Sequence, residues 1–355
     1  MEQKKYILQN STQIKATLPE SPIIRNDKKS YFTFSPFQDT ESYFLEQKEG
    51  NHLKFQLCIR YLNKLSLRNP MNINMQETFT IQNYVHKNQV ENITNIIKLV
   101  LDTYNLCSSK VIIFAHEKFN DDFISLEQYF QVIYGQNDFT NSAYTSSAFV
   151  ANIPVLKGKH FYVKVGYRLN GGCIIIGNFV LINYSNNNGF SQLDSIFYPE
   201  RIGTCVEDCK YIYNQDKYRY LIEPLYSLGI NCSSSIHRIC NDILVINKLS
   251  ELGIKIENKG IGNELKRKVK KFSEYFFFYI NDVSSEKFYE EIIEKLIFDE
   301  EVVEYFKKCL IKMEQWDRND LSNIDQTYAK NTFGIPKEFW GVKEPLDFNI
   351  YNFDR

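Results

Sequence analysis

The stretch Leu193-Asp194-Ser195-Ile196-Phe197-Tyr198-Pro199-Glu200-Arg201-Ile202 decides how this chain reads. It places one isolated acid and a Glu-Arg pair shortly after a near-continuous apolar run, Ile174 to Tyr184, the pattern of a central strand covered on both faces. Asn186-Asn187-Asn188-Gly189 between them reads as a turn. An acid beside buried strands needs a cation or hydrogen-bond donors to offset its desolvation. Asp194 therefore marks a candidate site, and Arg201 follows it closely in the chain.

Working outward, composition bounds the rest. The chain has 355 residues, 43% hydrophobic and 15% aromatic, enough for one large or two ordinary domains with real cores. A formal net charge of -1 excludes a uniformly basic nucleic-acid binder but leaves room for a basic face. Cysteines 58, 107, 173, 205, 209, 232, 240 and 309 are scattered with no Cys-x-x-Cys pair, which reads as reduced, cytoplasmic thiols. Cys205-x-x-x-Cys209 with His237 lacks the second pair that a zinc site needs, so no metal ligands are assigned. The start Met-Glu-Gln-Lys-Lys-Tyr leads into polar residues, and no uncharged apolar run has membrane-span length. The expectation is a soluble, cytoplasmic protein without a membrane partner.

Residues 1 to 17 read as a short lead-in helix or arm. Tyr31 to Phe37 and Lys54 to Arg60 alternate as strands do, the first stopping at Pro36. Val90 to Tyr104 carries apolar residues at helical spacing and is followed by the strand Val111 to Ala115. After Lys210 the pattern becomes mainly helical, with Glu291 to Met313 as an amphipathic helix. The expected architecture is α+β: an antiparallel sheet flanked by helices over residues 1–220, then an all-helical domain over 221–355.

Several of these stretches share a likeness. The opening decapeptide resembles motif 3 of the alanyl-tRNA synthetases, class II enzymes that read Val-Asp-Thr-Gly-Met-Gly-Leu-Glu-Arg-Ile there. Gln56-Leu57-Cys58-Ile59-Arg60 is similar to the strand that begins their motif 2, and Arg68 to Tyr84 follows the rest of that motif with Arg68, Met75, Phe79 and Tyr84 kept. His160 to Gly166 resembles Asn-Phe-Trp-x-Met-Gly, and Asn178, Val180 and Tyr184 match Trp-Asn-x-Val-Phe-Met-Gln-Tyr. Gly253, Asn258, Gly262, Leu265, Arg267 and the pair Lys270-Lys271 keep the spacing of the family's helical tRNA domain. Ile324 to Pro336 resembles the segment that ends its aminoacylation half, and the expectation is a chain without the family's editing domain.

The resemblance implies a ligase that activates alanine, or glycine or serine, with ATP and Mg2+ as an adenylate for transfer to tRNA or another acceptor. Arg60, Arg68 and Arg201 would neutralise phosphates, as guanidinium suits, with Phe79 beside the nucleotide. Tyr162, Val180 and Asp194 would form the amino-acid pocket. Asn258, Lys266, Arg267, Lys270 and Lys271 would meet tRNA. On a helix those four cations fall at i, i+1, i+4 and i+5, a face that serves either phosphate contacts or plain solvation.

Three departures favour a second expectation. Asn74 replaces the family's glutamate, and Ile196 and Tyr198 replace two glycines that let a nucleotide approach the backbone. The alternative is therefore a degenerate paralogue that binds tRNA, aminoacyl-tRNA or a partner protein without adenylation.

Overall fold

The computed structural model describes residues 6–7, 14–25, 31–33, 35–46, 50–60, 71–83, 89–135, 150–151, 159–169, 172–184, 192–280, 283–318, 321 and 324–341. The chain divides into two compact units, one ending at Ile212 and the other formed mainly by Tyr213 onward, with Met71–Asn74 belonging to the second. The sequence reading puts this change at residue 220.

The first unit is built on a nine-stranded sheet. Its strands are β1 (Ile14–Leu18), β2 (Asn51–Ile59), β3 (Met75–Asn83), β4 (Val111–His116), β5 (Gln131–Gly135), β6 (Val150–Ala151), β7 (Lys159–Leu169), β8 (Gly172–Tyr184) and β9 (Gln192–Phe197). They run in the order β1-β2-β3-β9-β8-β7-β4-β5, with β6 on β7. Every pairing from β2 through to β4 is antiparallel, while β1 on β2 and β5 on β4 are parallel. The apolar run expected to be a central strand is β8, between β9 and β7.

Strand alternation gives this sheet two unlike faces. On one, Phe79 stacks on Phe197 at 5.3 Å and lies 6.4 Å from Tyr104 of a sixteen-residue helix, Gln89–Tyr104. That helix turns Ile93, Ile96, Ile97, Val100 and Leu101 inward, as its spacing predicts. Full burial of such a side chain contributes roughly 1.5–3 kcal/mol. Gly177 is required here, because a Cβ would meet the Ile196 carbonyl oxygen at 2.7 Å. The other face is polar: His52, Lys54 and Gln56 of β2 pair with Gln82, Thr80 and Thr78 of β3, all buried.

Two local expectations are corrected and a third is refined. Tyr31 to Phe37 does not make a strand; an isolated bridge joins Ile24 to Phe32, and Pro36–Asp39 is a 3-10 turn. Ser35 and Gln38 form a capping box in front of Pro36, and that local hydrogen bonding turns the chain. Within residues 1–17, read as a short helix or arm, Tyr6 and Ile7 are helical and Ile14 begins an edge strand. The helix expected over Glu291 to Met313 is interrupted at Ile297, Phe298 and Asp299.

The second unit is helical. We label its main helices α1 (Arg219–Ser227), α2 (Ser233–Glu251), α3 (Gly260–Tyr279) and α4 (Glu300–Arg318). Phe276 stacks on Phe288, and Phe306 lies 5.2 Å from Phe272, forming an aromatic core. Asp242 of α2, fully buried, is held by Arg238 at 2.7 Å and by Lys268 of α3. Asn241 beside it accepts from the backbone N–H of Asn74 at 2.8 Å. Asn74, where the family has a glutamate, is thus packed into this helical unit. Gly262 keeps its spacing for a backbone reason, since a Cβ would meet the Lys255 carbonyl oxygen at 2.5 Å. Among the described residues no helix is long and apolar enough to cross a membrane.

Candidate functional site

Register across four strands builds the site. Gln82 pairs with Asp194, Asp194 with Val180, and Val180 with Tyr162, so the four stand in one row on the polar face. Asp194 is 8% exposed, and the Gln82 amide donates to its Oδ1 at 2.9 Å. The same amide donates to Thr40 Oγ1, also at 2.9 Å, tying the segment before Glu41–Leu45 to the row. Burial pushes the Asp194 carboxyl up to about 7, against the smaller pull of the Gln82 hydrogen bond. A neutral amide does not compensate a buried charge, so a cationic ligand would hold this carboxylate ionised. Val180 packs with Phe44 and Ile182, and Tyr162, Tyr43 and Phe37 close against them. The sequence-predicted pocket residues Asp194, Val180 and Tyr162 therefore come together.

Arg201 stands outside the sheet. It belongs to the first turn of a short helix, Pro199–Val206, started by a proline at its N-terminus. Its guanidinium lies 4.3 Å above the centre of the Tyr198 ring, and Nη1 donates to the Ile175 carbonyl at 3.1 Å. Burial disfavours its charge; Tyr198 and Glu200 support it, and the Arg60 charge opposes it. Glu200 accepts from the Glu77 backbone N–H at 2.7 Å, fastening the helix to β3. The buried Tyr198 donates its hydroxyl to Asn178 Oδ1 at 3.0 Å. Arg60 follows β2, half-buried, and its field reaches Tyr162 as well as Arg201. Tyr162 thus feels the charges of Asp194 and Arg60, and Arg201 that of Arg60, with Tyr198 near both.

Two of the residues expected to hold ATP, Phe79 and Arg201, are engaged elsewhere. Phe79 is corrected from a nucleotide contact to a core residue: its parity in β3 puts it on the opposite face from Gln82, fully buried beside Phe197 and Tyr104. The Arg201 guanidinium is already committed to a ring and a carbonyl. Over β2, Lys54 donates to Ser21 Oγ at 2.5 Å, and Gln56 exchanges hydrogen bonds with the Ser21 backbone. Arg68 lies outside the described residues, as does Tyr84. Among the described residues no three His, Cys, Asp or Glu side chains are grouped to hold a metal ion.

Sequence reasoning missed Gln82 and Thr40 as site residues. A signal for Gln82 is present, because Gln76, Thr78, Thr80 and Gln82 alternate with Phe79 and Ile81.

In the helical unit the expected cationic face is largely engaged within the chain. Lys266 donates to Asn258 Oδ1 at 2.6 Å, Arg267 pairs with Glu264 at 3.0 Å, and Lys270 donates to the Gly334 carbonyl at 2.8 Å. Lys271 is exposed.

No family model matches the chain, and no curated protein does. Among solved structures it is similar to three class II aminoacyl-tRNA synthetases. The crystal structure of apo histidyl-tRNA synthetase from S. aureus has a TM-score of 0.37 at 10% identity, covering 64% of this chain and 74% of that one. A putative threonyl-tRNA synthetase from Aeropyrum pernix gives 0.36 at 9% identity, over 70% and 68%. A pyrrolysyl-tRNA synthetase from Desulfitobacterium hafniense gives 0.35 at 10% identity, over 60% and 71%. The sheet topology and site geometry described above stand independently of these likenesses.

Proposed function

We propose that this chain is a class II synthetase-like protein that holds a small amino acid by its ammonium group at Asp194 and does not adenylate it. One observation carries the reading: a buried carboxylate whose hydrogen-bond partner is a neutral amide, set in a row with Val180 and Tyr162. Such an acid has a stored affinity for a cation, and the apolar wall limits what that cation is attached to. Alanine, glycine and serine are the candidates. Tyr198 beneath Arg201, and Phe79 in the core, argue against activation.

Binding of tRNA or another carrier through Asn258, Lys266, Arg267, Lys270 and Lys271 is the weaker part of this reading, since three of those four cations already have partners in the chain. Gel shift with tRNA at two salt concentrations tests it, because phosphate contacts are strongly salt-dependent.

The ligase reading stays as the second, favoured by the Arg60 charge, which is felt at both Tyr162 and Arg201. Calorimetric titration with the three amino acids and amino-acid-dependent pyrophosphate exchange separate the two. Heat on binding that disappears in Asp194→Asn, with no exchange, is the expected result. Exchange above background would replace the proposal with the ligase, and no binding of any small amino acid would remove both.

A further inference from the structure

The helical unit has a cavity of its own, formed by the stretch that follows α4. It is open to solvent, holds about 350 Å3, and among the described residues is lined by Gln326, Thr327, Lys330, Asn331, Lys337 and Trp340. That volume lies at the small end of the roughly 300–1,000 Å3 of ligand pockets. Its walls are fastened to the long helices. Gly334, at φ 64°, ends the turn Ala329–Phe333, and its carbonyl accepts from Lys270 of α3 at 2.8 Å. Phe339 packs edge-on against Phe278 of α3 at 4.9 Å and against Trp316 of α4 at 5.9 Å, which anchors the turn Lys337–Trp340.

The lining is cationic and rich in donors. Lys330 and Lys337 are exposed, neither has a carboxylate partner among the described residues, and none of the described lining residues is an acid. The acids nearest to them in sequence are engaged elsewhere: Asp325 caps the backbone N–H of Tyr328 at 2.7 Å, and Glu338 accepts from the Tyr279 hydroxyl at 3.5 Å. The two tryptophans differ as well. Trp316 meets Phe339 and the Lys312 ammonium, whereas the half-buried Trp340 has no ring or cation against it among the described residues. Two ammonium groups on one cavity repel each other, and a dianion offsets both charges where a carboxylate offsets one. An indole that no other side chain covers is a platform for a planar ring, and the Gln326 and Asn331 amides offer donors and acceptors to the edge of a heterocycle.

We propose that this cavity binds a free nucleoside monophosphate, its phosphate held by Lys330 and Lys337 and its base on Trp340. A phosphate monoester brings close to two negative charges at neutral pH and three acceptor oxygens, which suits two ammonium groups with no acid beside them. The base supplies the flat face that the indole takes. The site lies within the helical unit and is independent of the reading of Asp194.

The test is calorimetric titration of the full chain with the 5′-monophosphates of adenosine, guanosine, cytidine and uridine, each beside its own nucleoside, and with ribose 5-phosphate. At least one mononucleotide is expected to bind, with its nucleoside and ribose 5-phosphate each about tenfold weaker, the effect of losing the charge-assisted or the stacking contact. The double variant Lys330→Gln, Lys337→Gln should bind that nucleotide no better than its nucleoside, and Trp340→Leu should bind it no better than ribose 5-phosphate. Circular dichroism confirms that each variant is folded, and the comparison of ligands on the wild type needs no variant. A wild type that binds none of the four overturns the proposal. So does nucleotide affinity that is unchanged in the double lysine variant, which would place the nucleotide elsewhere on the protein. Binding of a short single-stranded RNA where no free mononucleotide binds also overturns it, because the cavity would then take the end of a nucleic-acid chain.

Discussion

Among the described residues two aspartates are buried, one in each unit, and their surroundings are opposite. Asp242, 0% exposed, lies between Arg238 and Lys268, whose cations compensate its charge. Asp194, 8% exposed, meets the Gln82 amide. A compensated buried charge is architecture: it fixes how helices pack and is costly to break. An uncompensated one is held part-protonated by its burial and gains most when a cation arrives from outside. The difference separates structure from function more reliably than the presence of an acid in a motif.

The largest effect should come from breaking the compensated site. Asp242→Asn leaves Arg238 and Lys268 without their counter-charge and is expected to destabilise the helical unit by about 3–5 kcal/mol, read from denaturant unfolding. A loss under about 1 kcal/mol would show that the pair is not compensated as described.

Asp194→Asn should do the reverse. Its carboxyl titrates near 7 in the folded chain, above the roughly 3.9 of an unfolded aspartate, so the folded state binds the proton more tightly. This group therefore costs nothing below about pH 4, and its presence lowers stability progressively as pH rises from about 4 to about 7. At pH 7.5 the amide variant should be more stable by about 1–3 kcal/mol, while affinity for alanine falls at least about a hundredfold. Differential scanning calorimetry at pH 5 and 7.5 measures the first effect and titration the second.

A pH series on the wild type sharpens the same contrast. An ammonium ligand needs the ionised carboxylate, so affinity should rise about tenfold from pH 5 to 6, more slowly to about 8, and then level off. A flat profile would mean that the ligand does not meet Asp194.

The smallest effect concerns the helix surface. Replacing exposed Arg267 by Ala should change stability by at most about 0.5 kcal/mol, because its pairing with Glu264 is a surface salt bridge. Adding Lys271→Ala should weaken any tRNA gel shift by no more than about twofold. A much larger loss would show that this face, though paired internally, is an interface.

Much of the fold was legible before any coordinates. Ile174 to Tyr184 reads as a central strand and is one; Val90 to Tyr104 reads as a helix with an inward stripe, and its isoleucines are buried. The site was legible in part. Asp194, Val180 and Tyr162 fall in one row of the sheet, but the likeness in motif 2 put Phe79 with the nucleotide although its parity, shared with Ile81 and not with Gln82, sends it to the core. Helical spacing likewise marked Lys266, Arg267, Lys270 and Lys271 and said nothing of Lys268, which is buried because Asp242 comes to it from another helix.

Sequence by itself determined which residues share a face, because the period of two in a strand and of 3.6 in a helix belong to the backbone. Tertiary structure alone decided what each charge meets. Gln82 and Asp194 are 112 residues apart in the chain, and a register set by packing and loop closure brings them together. No local pattern carries that information, and on it depends whether a buried carboxylate holds the fold together or waits for a ligand.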